Sequence, residues 1–355
     1  MKKTWWKIVC VVFLTYTLIM GLIIPLSPGL ITVTPDEGKT GDTISIKLKG
    51  YNTHFKDENN SIKVWIKNDS LKYLDCALSF NVNSNSEIQA SFILPYLIYP
   101  DKKPAFVDIM INDNKDGNII YDEAIKINAV KSDASIISTN NSRKCPDSYT
   151  VSKAPGLHYP NRNILYESIR NLFFHVPMWF AMIMIISVSL IYSIKYLRGF
   201  NLKDDIIAVE AAKTGILFGV LGLITGSIWA RFTWQAWWPN DVKVNGAAVT
   251  LLIYFAYMVL RNSVDGEQKR ARISAVYSII AFTMLVVFLI IFPRMNSSLH
   301  PGNGGNPGFN TYDLDSTMRL VFYPAVIGWC LLSLWIMSIL VRINKLTKHF
   351  NSANW

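Results

Sequence analysis

The residues of this chain best suited to chemistry are a cluster of tryptophans and two histidines. Trp229, Trp234, Trp237 and Trp238 fall within ten residues, in the run W-A-R-F-T-W-Q-A-W-W-P-N-D-V-K-V-N from Trp229 to Asn245, although the chain holds only eleven tryptophans. Indole is bulky and its N–H needs a partner, so a cluster of this kind needs a reason. One reason is an aromatic belt at a membrane–water interface. Another is a flat platform for a large planar ligand such as a porphyrin. His175 stands in F-F-H-V-P-M-W-F, and His300 in S-S-L-H-P-G-N-G-G. A lone interfacial histidine ordinarily ends a helix or bonds to a carbonyl. Two imidazoles on one side of a membrane, beside an aromatic surface, would instead supply both axial ligands of a haem iron.

Whether the two histidines share a side depends on the elements that carry them. The chain has 355 residues, is 51% hydrophobic and has a positive mean hydropathy of +0.24. Apolar runs near the ~20 residues needed to cross a bilayer recur at Trp5–Leu26, Phe173–Leu197, Ala211–Trp229, Gly246–Leu260, Ile273–Pro293 and Leu320–Val341, the fourth being short. The first has a basic start but a long apolar run and no A-x-A-like site, so it reads as an uncleaved anchor. Basic residues flank alternate ends of these runs. Lys2, Lys3 and Lys7 precede the first; Lys195, Arg198 and Lys203 lie between the second and third. Arg261, Lys269, Arg270 and Arg272 separate the fourth and fifth, and Arg342, Lys345 and Lys348 follow the sixth. The short loops on the other side hold only Arg231, Lys243, Arg294 and Arg319. The positive-inside rule then predicts a multi-pass protein with both termini in the cytoplasm. His175, the tryptophan run and His300 all fall on the outer face.

The net charge of +10 does not indicate nucleic acid. Residues 30–150 carry 14 basic and 16 acidic side chains, a net of −2, so the remainder carries 21 and 9, a net of +12, concentrated at membrane flanks. Other chemistries lack their signatures. There is no C-x-x-C-H or C-x-x-C, the glycine-rich run Gly302–Gly308 lacks G-K-[ST], and no zinc spacing or nucleophile elbow occurs. A b-type cytochrome would place histidines in the interior of its spans; His175 stands at the start of the second span and no span interior holds one.

Between the first two runs, short alternating segments at Thr43–Leu48, Ile62–Lys67, Leu74–Phe80, Glu87–Leu94, Val107–Ile111 and Ala124–Val130 are separated by turn residues. They predict an immunoglobulin-like β-sandwich outside the cytoplasm. Cys76 and Cys145 lie in this oxidising setting, where a disulfide is permitted, and Cys10 and Cys330 read as small residues within spans. The segment from Asn112 to Glu123 matches a calcium-loop template at Asn114, Asp116, Gly117 and Glu123, with Asn112 and Asn118 as further ligand positions. The alternative is a β-turn at N-K-D-G.

The combined pattern resembles the haem-handling proteins of cytochrome c maturation, a superfamily marked by a Trp-rich "WWD" segment, and within it the cytochrome c maturation protein C (CcmC) family. The resemblance covers the first span and residues 165–345. It rests on His175-Val176-Pro177, on Trp229, Trp234, Trp237, Trp238 and Asp241 in register, and on Leu299-His300. Ala230, Asn240, Lys243 and Asn245 depart from the usual Gly, Trp, Arg and Thr. Lysine offers a point charge where arginine would offer a fork.

The resemblance implies a six-helix membrane protein of the bacterial inner membrane with a β-domain inserted between spans one and two. Its parts would be an anchor (1–30), a β-sandwich (31–150), a linker (151–172), a five-span haem-handling domain (173–345) and a tail (346–355). It implies non-covalently bound haem b at the periplasmic face, ligated by His175 and His300 and walled by the four tryptophans. Asp241 would orient the segment or meet a partner, and Arg231 and Lys243 would pair with propionates. The haem would pass to the periplasmic chaperone CcmE, with subunits of the CcmA, CcmB and CcmD type and the lipid bilayer as further partners. This is the role of a transfer factor rather than an enzyme. Two alternatives remain open at this point: a haem lyase or exporter of the CcsA type, and a non-haem envelope sensor or adhesion protein.

Overall fold

In the computed structural model, residues 4–57, 61–68, 73–95, 105–128, 154–300 and 314–353 are described. The chain divides into two compact units, Pro25–Tyr166 and the remainder, Met1–Ile24 with Glu167–Trp355.

The first unit is a β-sandwich. Its strands are β1 (Gly29–Thr34), β2 (Glu37–Lys39), β3 (Thr43–Tyr51), β4 (Ile62–Asn68), β5 (Tyr73–Cys76), β6 (Ser79–Ser84), β7 (Glu87–Ile93), β8 (Ala105–Asp113) and β9 (Gly117–Asn128). One sheet has the order β1-β3-β7-β6 and the other β2-β9-β8-β4-β5; among these described strands β2 and β9 pair in parallel and the other pairs are antiparallel. Alternation dictates the faces, because successive side chains of a strand point to opposite sides. On β3, Ile44, Ile46 and Leu48 are buried while Ser45, Lys47 and Lys49 are exposed. The inner faces of both sheets meet in one core that includes Ile46, Leu48, Ile88, Phe92, Val107, Ile109 and Ile125.

Several local expectations change. The segment expected as one strand over Leu74–Phe80 is two, β5 and β6, in different sheets, so the chain crosses the sandwich at Ala77-Leu78. Neither β1 nor β2 was anticipated. The first follows directly on the apolar anchor, and the second is three residues of E-G-K held by parallel pairing to β9, a tertiary contact without a local signature. Cys76 is disulfide-bonded, whereas Cys10 and Cys330 are free; Cys145 lies outside the described residues.

The segment that matches the calcium-loop template forms a β-hairpin. Asn112 and Asp113 end β8, Gly117 begins β9, and Asn114-Lys115-Asp116 is the turn of a hairpin. Candidate ligands are already engaged in protein contacts. Asn112 Nδ2 donates across the hairpin to Asn118 Oδ1. Asp116 takes the His54 backbone N–H at 2.6 Å and lies 2.8 Å from His54 Nδ1. Glu123 sits far along β9, its N–H bonded to Asp108 Oδ1. Among the described residues no cluster of three or more His, Cys, Asp or Glu side chains is arranged to hold a metal. Turn-forming Asn, Asp and Gly serve hairpins and calcium loops alike, so residue types alone do not choose between the two.

The second unit is a helical membrane domain. It comprises α1 (Trp5–Ile23), α2 (Leu172–Gly199), α3 (Leu202–Thr233), α4 (Val242–Asn262), α5 (Glu267–Val286), a π-helical turn (Val287–Ile291) running into α6 (Phe292–Met295), and α7 (Ser316–Ala353). Among the described residues, six helices are long and apolar enough to span a bilayer, as expected of a multi-pass protein. The short fourth run becomes a 21-residue helix because Asp241 caps it, accepting the N–H groups of Lys243 and Val244.

Glycines set how closely the helices approach. A Cβ at Gly215, Gly219, Gly222 or Gly226 of α3 would lie 2.4–2.9 Å from Ile186, Leu251, Trp179 and His175 respectively. Such small-residue seams let backbones approach where lipid offers no hydrophobic drive to pack. On α4, Gly246 faces the Phe288 carbonyl of the π turn, 2.4 Å from where its Cβ would stand.

Candidate functional site

His175 lies in the first turn of α2, pressed against α3. Its Nδ1 is 3.1 Å from the Gly222 carbonyl oxygen and 3.1 Å from Thr225 Oγ1. A carbonyl only accepts, so Nδ1 carries the proton and Nε2 keeps its lone pair. The ring lies edge-on to Trp179 and Trp229, with centroids 6.3 and 5.8 Å away. Gly226 makes room for it: a Cβ there would lie 2.6 Å from His175 Cε1.

His300 lies on the segment between α6 and α7 and is fixed by Asp241. The buried Asp241 carboxylate approaches His300 Nδ1 at 3.0 Å, accepts the Ser298 hydroxyl at 2.7 Å and takes the Leu299 N–H at 2.7 Å. It also caps α4. One side chain therefore joins the start of α4 to the histidine segment. Burial acts to raise the Asp241 pKa, but the hydrogen bonds from Ser298 and Leu299 and the nearby imidazole outweigh it and hold the carboxyl below its ordinary value. Burial pushes the His300 imidazole below its ordinary value, against the pull of Asp241. At neutral pH the pair is therefore a carboxylate facing a neutral imidazole whose Nδ1–H points at it. This again leaves Nε2 as the free donor atom.

Both histidines line one cavity of about 350 Å³, within the range of small-molecule sites. Its walls include Trp179, Trp229, Trp234, Trp237, Trp238, Leu289 and Lys243. Trp234 ends α3 with its ring centroid 4.9 Å from that of His300. Gln235 has a left-handed φ of 58°, which turns the chain back toward Trp237. Trp237 and Trp238 stand at the rim, 60% and 48% exposed. The Trp238 indole N–H reaches Asn245 Oδ1 at 3.1 Å, while Trp229 Nε1 is buried with no partner among the described residues.

Of the residues singled out from the sequence, the cavity gathers His175, His300, Trp229, Trp234, Trp237, Trp238 and Lys243. Asp241 lies behind His300 rather than in the wall. Arg231 points elsewhere, donating to the Gln235 carbonyl at 2.7 Å, and so supports the turn instead of lining the cavity. The segment Asn112–Glu123 belongs to the other unit. Sequence reading missed Trp179, Gly222, Thr225, Gly226 and Ser298. Trp179 is one helical turn beyond His175, and the glycine spacing along α3 was the available signal for a close helix contact at that ring.

Residues 156–355, more than half of the chain, match the family model described as Heme exporter protein C. The Heme exporter protein C of Bradyrhizobium diazoefficiens is 27% identical over 146 residues, 41% of this chain and 56% of that protein. That of Paracoccus denitrificans is 28% identical over 137 residues, covering 38% and 56%. A Cytochrome c biogenesis protein CcsA of Prochlorococcus marinus is 33% identical over 85 residues, covering 24% and 27%. The matched stretch thus spans about half the length of these Heme exporter protein C relatives. A family model that covers the whole region from before α2 to the end of α7 shows that the chain belongs to the Heme exporter protein C family.

Proposed function

We propose that the chain binds haem b non-covalently between His175 and His300 and hands it to a periplasmic haem chaperone of the CcmE type during cytochrome c maturation. One observation carries this reading. Two imidazoles line a single aromatic cavity, each with Nδ1 committed to a hydrogen bond and Nε2 left as an iron donor. Orientation through the second ring nitrogen is how protein scaffolds hold metal-ligating histidine. Bound haem would supply an iron with two axial positions and two propionates.

The chain's own residues do the rest. His175 and His300 bind the iron, and Trp229 and Trp234 close the inner wall. Trp237 and Trp238 stand at the open rim, where a planar ligand can stack and leave. Lys243 offers a cation to a propionate, while Asp241 positions His300. Delivery is ligand exchange and needs no acid–base pair in this chain, which is why we assign a transfer factor rather than an enzyme.

The distribution of basic residues supports a bacterial inner-membrane location, with cytoplasmic termini and with the site and β-unit in the periplasm. The sheet orders β1-β3-β7-β6 and β2-β9-β8-β4-β5 support an immunoglobulin-like sandwich, since the first follows the A-B-E-D pattern and β9-β8-β4 the G-F-C pattern. We retain the division into an anchor (1–30), a sandwich (31–150), a linker (151–172), a membrane domain (173–345) and a tail (346–355). Subunits of the CcmA, CcmB and CcmD type are the expected partners.

The test is the visible spectrum of the detergent-purified chain from haem-replete cells, beside His175→Ala and His300→Ala. A Soret band with low-spin features in the wild type, weakened or shifted in both variants, is the expected result. No band, or one unchanged in both variants, would remove the ligand assignment. The CcsA similarity favours a second reading, a haem lyase that attaches haem directly to apocytochrome. That reading expects covalent haem on a C-x-x-C-H substrate supplied to the purified chain without any chaperone.

A further inference from the structure

The two histidines are held by different chemistry. His175 Nδ1 faces only neutral acceptors, the Gly222 carbonyl and the Thr225 hydroxyl, each at 3.1 Å. The Thr225 hydroxyl itself donates to the Leu221 carbonyl at 2.8 Å, so its lone pair faces the imidazole. His300 Nδ1 faces the Asp241 carboxylate at 3.0 Å. That carboxylate also holds the backbone and side chain beside it, through the Leu299 N–H and the Ser298 hydroxyl, and is anchored on the N-terminus of α4. A carboxylate behind an imidazole draws its Nδ1 proton and makes Nε2 a stronger electron-pair donor; a neutral acceptor does so much less.

From this asymmetry, and resting on the haem-binding reading above, we infer that the two axial positions are unequal: His300 is the retained ligand and His175 the one exchanged when haem leaves. In the exchange, the bond between iron and His175 Nε2 breaks and its electron pair stays on the imidazole. A neutral donor atom of the receiving protein forms the new bond on that face. No electron or proton changes hands, and the bond to His300 persists until the haem is held from the other side. Asp241 is therefore a positioning residue that decides which face is released.

The position of Asp241 allows its charge to be tested apart from its capping role. Asparagine caps a helix about as well as aspartate, so Asp241→Asn keeps the start of α4 while removing the negative charge behind His300. The hydrogen-bond partners of a metal-bound histidine ordinarily contribute about 10–100-fold in affinity. Asp241→Asn should weaken haem retention by about that factor, whereas Thr225→Val, which removes one neutral hydrogen bond, should cost less than about tenfold.

The experiment uses the full-length, detergent-purified chain loaded with haem, in wild-type, His175→Gly, His300→Gly, Asp241→Asn and Thr225→Val forms. The rate of haem loss to excess apomyoglobin is followed at the Soret band, with and without added imidazole, and the haem reduction potential is measured in the forms that keep haem. We expect His175→Gly to keep its haem and regain a six-coordinate spectrum with imidazole, and His300→Gly to lose haem at least about tenfold faster. Asp241→Asn should lose haem faster than Thr225→Val and show a raised potential. Equal or reversed rates for the two glycine variants, or a wild-type rate and potential for Asp241→Asn, would overturn the inference while leaving haem binding intact. A wild type without a Soret band would remove haem binding itself, and this inference with it.

Discussion

In the β-unit the interior is aliphatic and aromatic: Ile46, Leu48, Ile88, Phe92, Val107 and Ile109 are wholly buried, with Lys47 and Lys49 facing outward between buried neighbours. In the membrane unit Ser189, Ser193, Thr250, Ser274, Ser278 and Ser333 are buried, while Leu252, Val259, Ile280 and Leu320 are exposed. The membrane unit also has an apolar core, around Met182, Ile186, Phe218 and Leu285; the difference at its surface and in its hydroxyl content follows from the solvent. Water drives apolar groups inward, whereas lipid does not distinguish an outer leucine from an inner one. The helices therefore gain specificity from small residues, hydroxyls and a few charged contacts. A functional cavity in such a bundle needs its own devices, which here are glycines that admit His175 and a carboxylate that holds His300.

Predictions can break this contrast from either side. The largest expected effect lies in the β core. Phe92→Ala should cost about 3–5 kcal/mol and speed hydrogen exchange in β3 and β7 peptides of the full-length chain, leaving the Soret band unchanged. Loss of the band would mean that the two units depend on each other for the site.

In the membrane unit, Arg261 makes a bidentate pair with the buried Asp205, at 2.8 and 2.6 Å. Arg261→Met would leave that carboxylate unpaired at a cost of about 3–5 kcal/mol, read as a lower melting temperature in detergent. A neutral result would mean that water reaches Asp205. Gly226→Ala should act more narrowly. It forces His175 or α3 to move, so haem retention falls while far-ultraviolet helicity stays at the wild-type level; unchanged retention would show the seam to be loose.

The smallest effect is a surface one. Glu87 is held below its ordinary pKa first by its hydrogen bond with Lys47 and then by Asn83. A depressed carboxylate pKa means stability that is present above the unfolded value and lost as pH falls through the folded one. Glu87→Gln should therefore slightly flatten the acid limb of β-unit stability, followed by hydrogen exchange against pH. An identical limb would mean that the pair contributes nothing.

Much of the site was legible because its donor types are scarce. With five histidines and eleven tryptophans in the chain, counting spans was enough to bring His175, His300 and the tryptophan run to one face. Arg231 shows what such counting leaves out: the resemblance implied a propionate partner, while in the structure its guanidinium donates to the Gln235 carbonyl. In the segment Asn112–Glu123, likewise, a template reports residue types and not where their oxygens point.

The sequence alone therefore determined the membrane helices, the aromatic run, the two histidines and the alternating strands. Each of these follows from residue type and period, which are local. Only the tertiary structure decided that Asp241 stands behind His300 while neutral oxygens stand behind His175. It also decided that glycines on α3 make the space for the His175 ring, and that β2 joins β9. Those facts depend on which atoms meet across 47 to 89 residues of chain, and packing, rather than any local pattern, brings them within hydrogen-bonding distance.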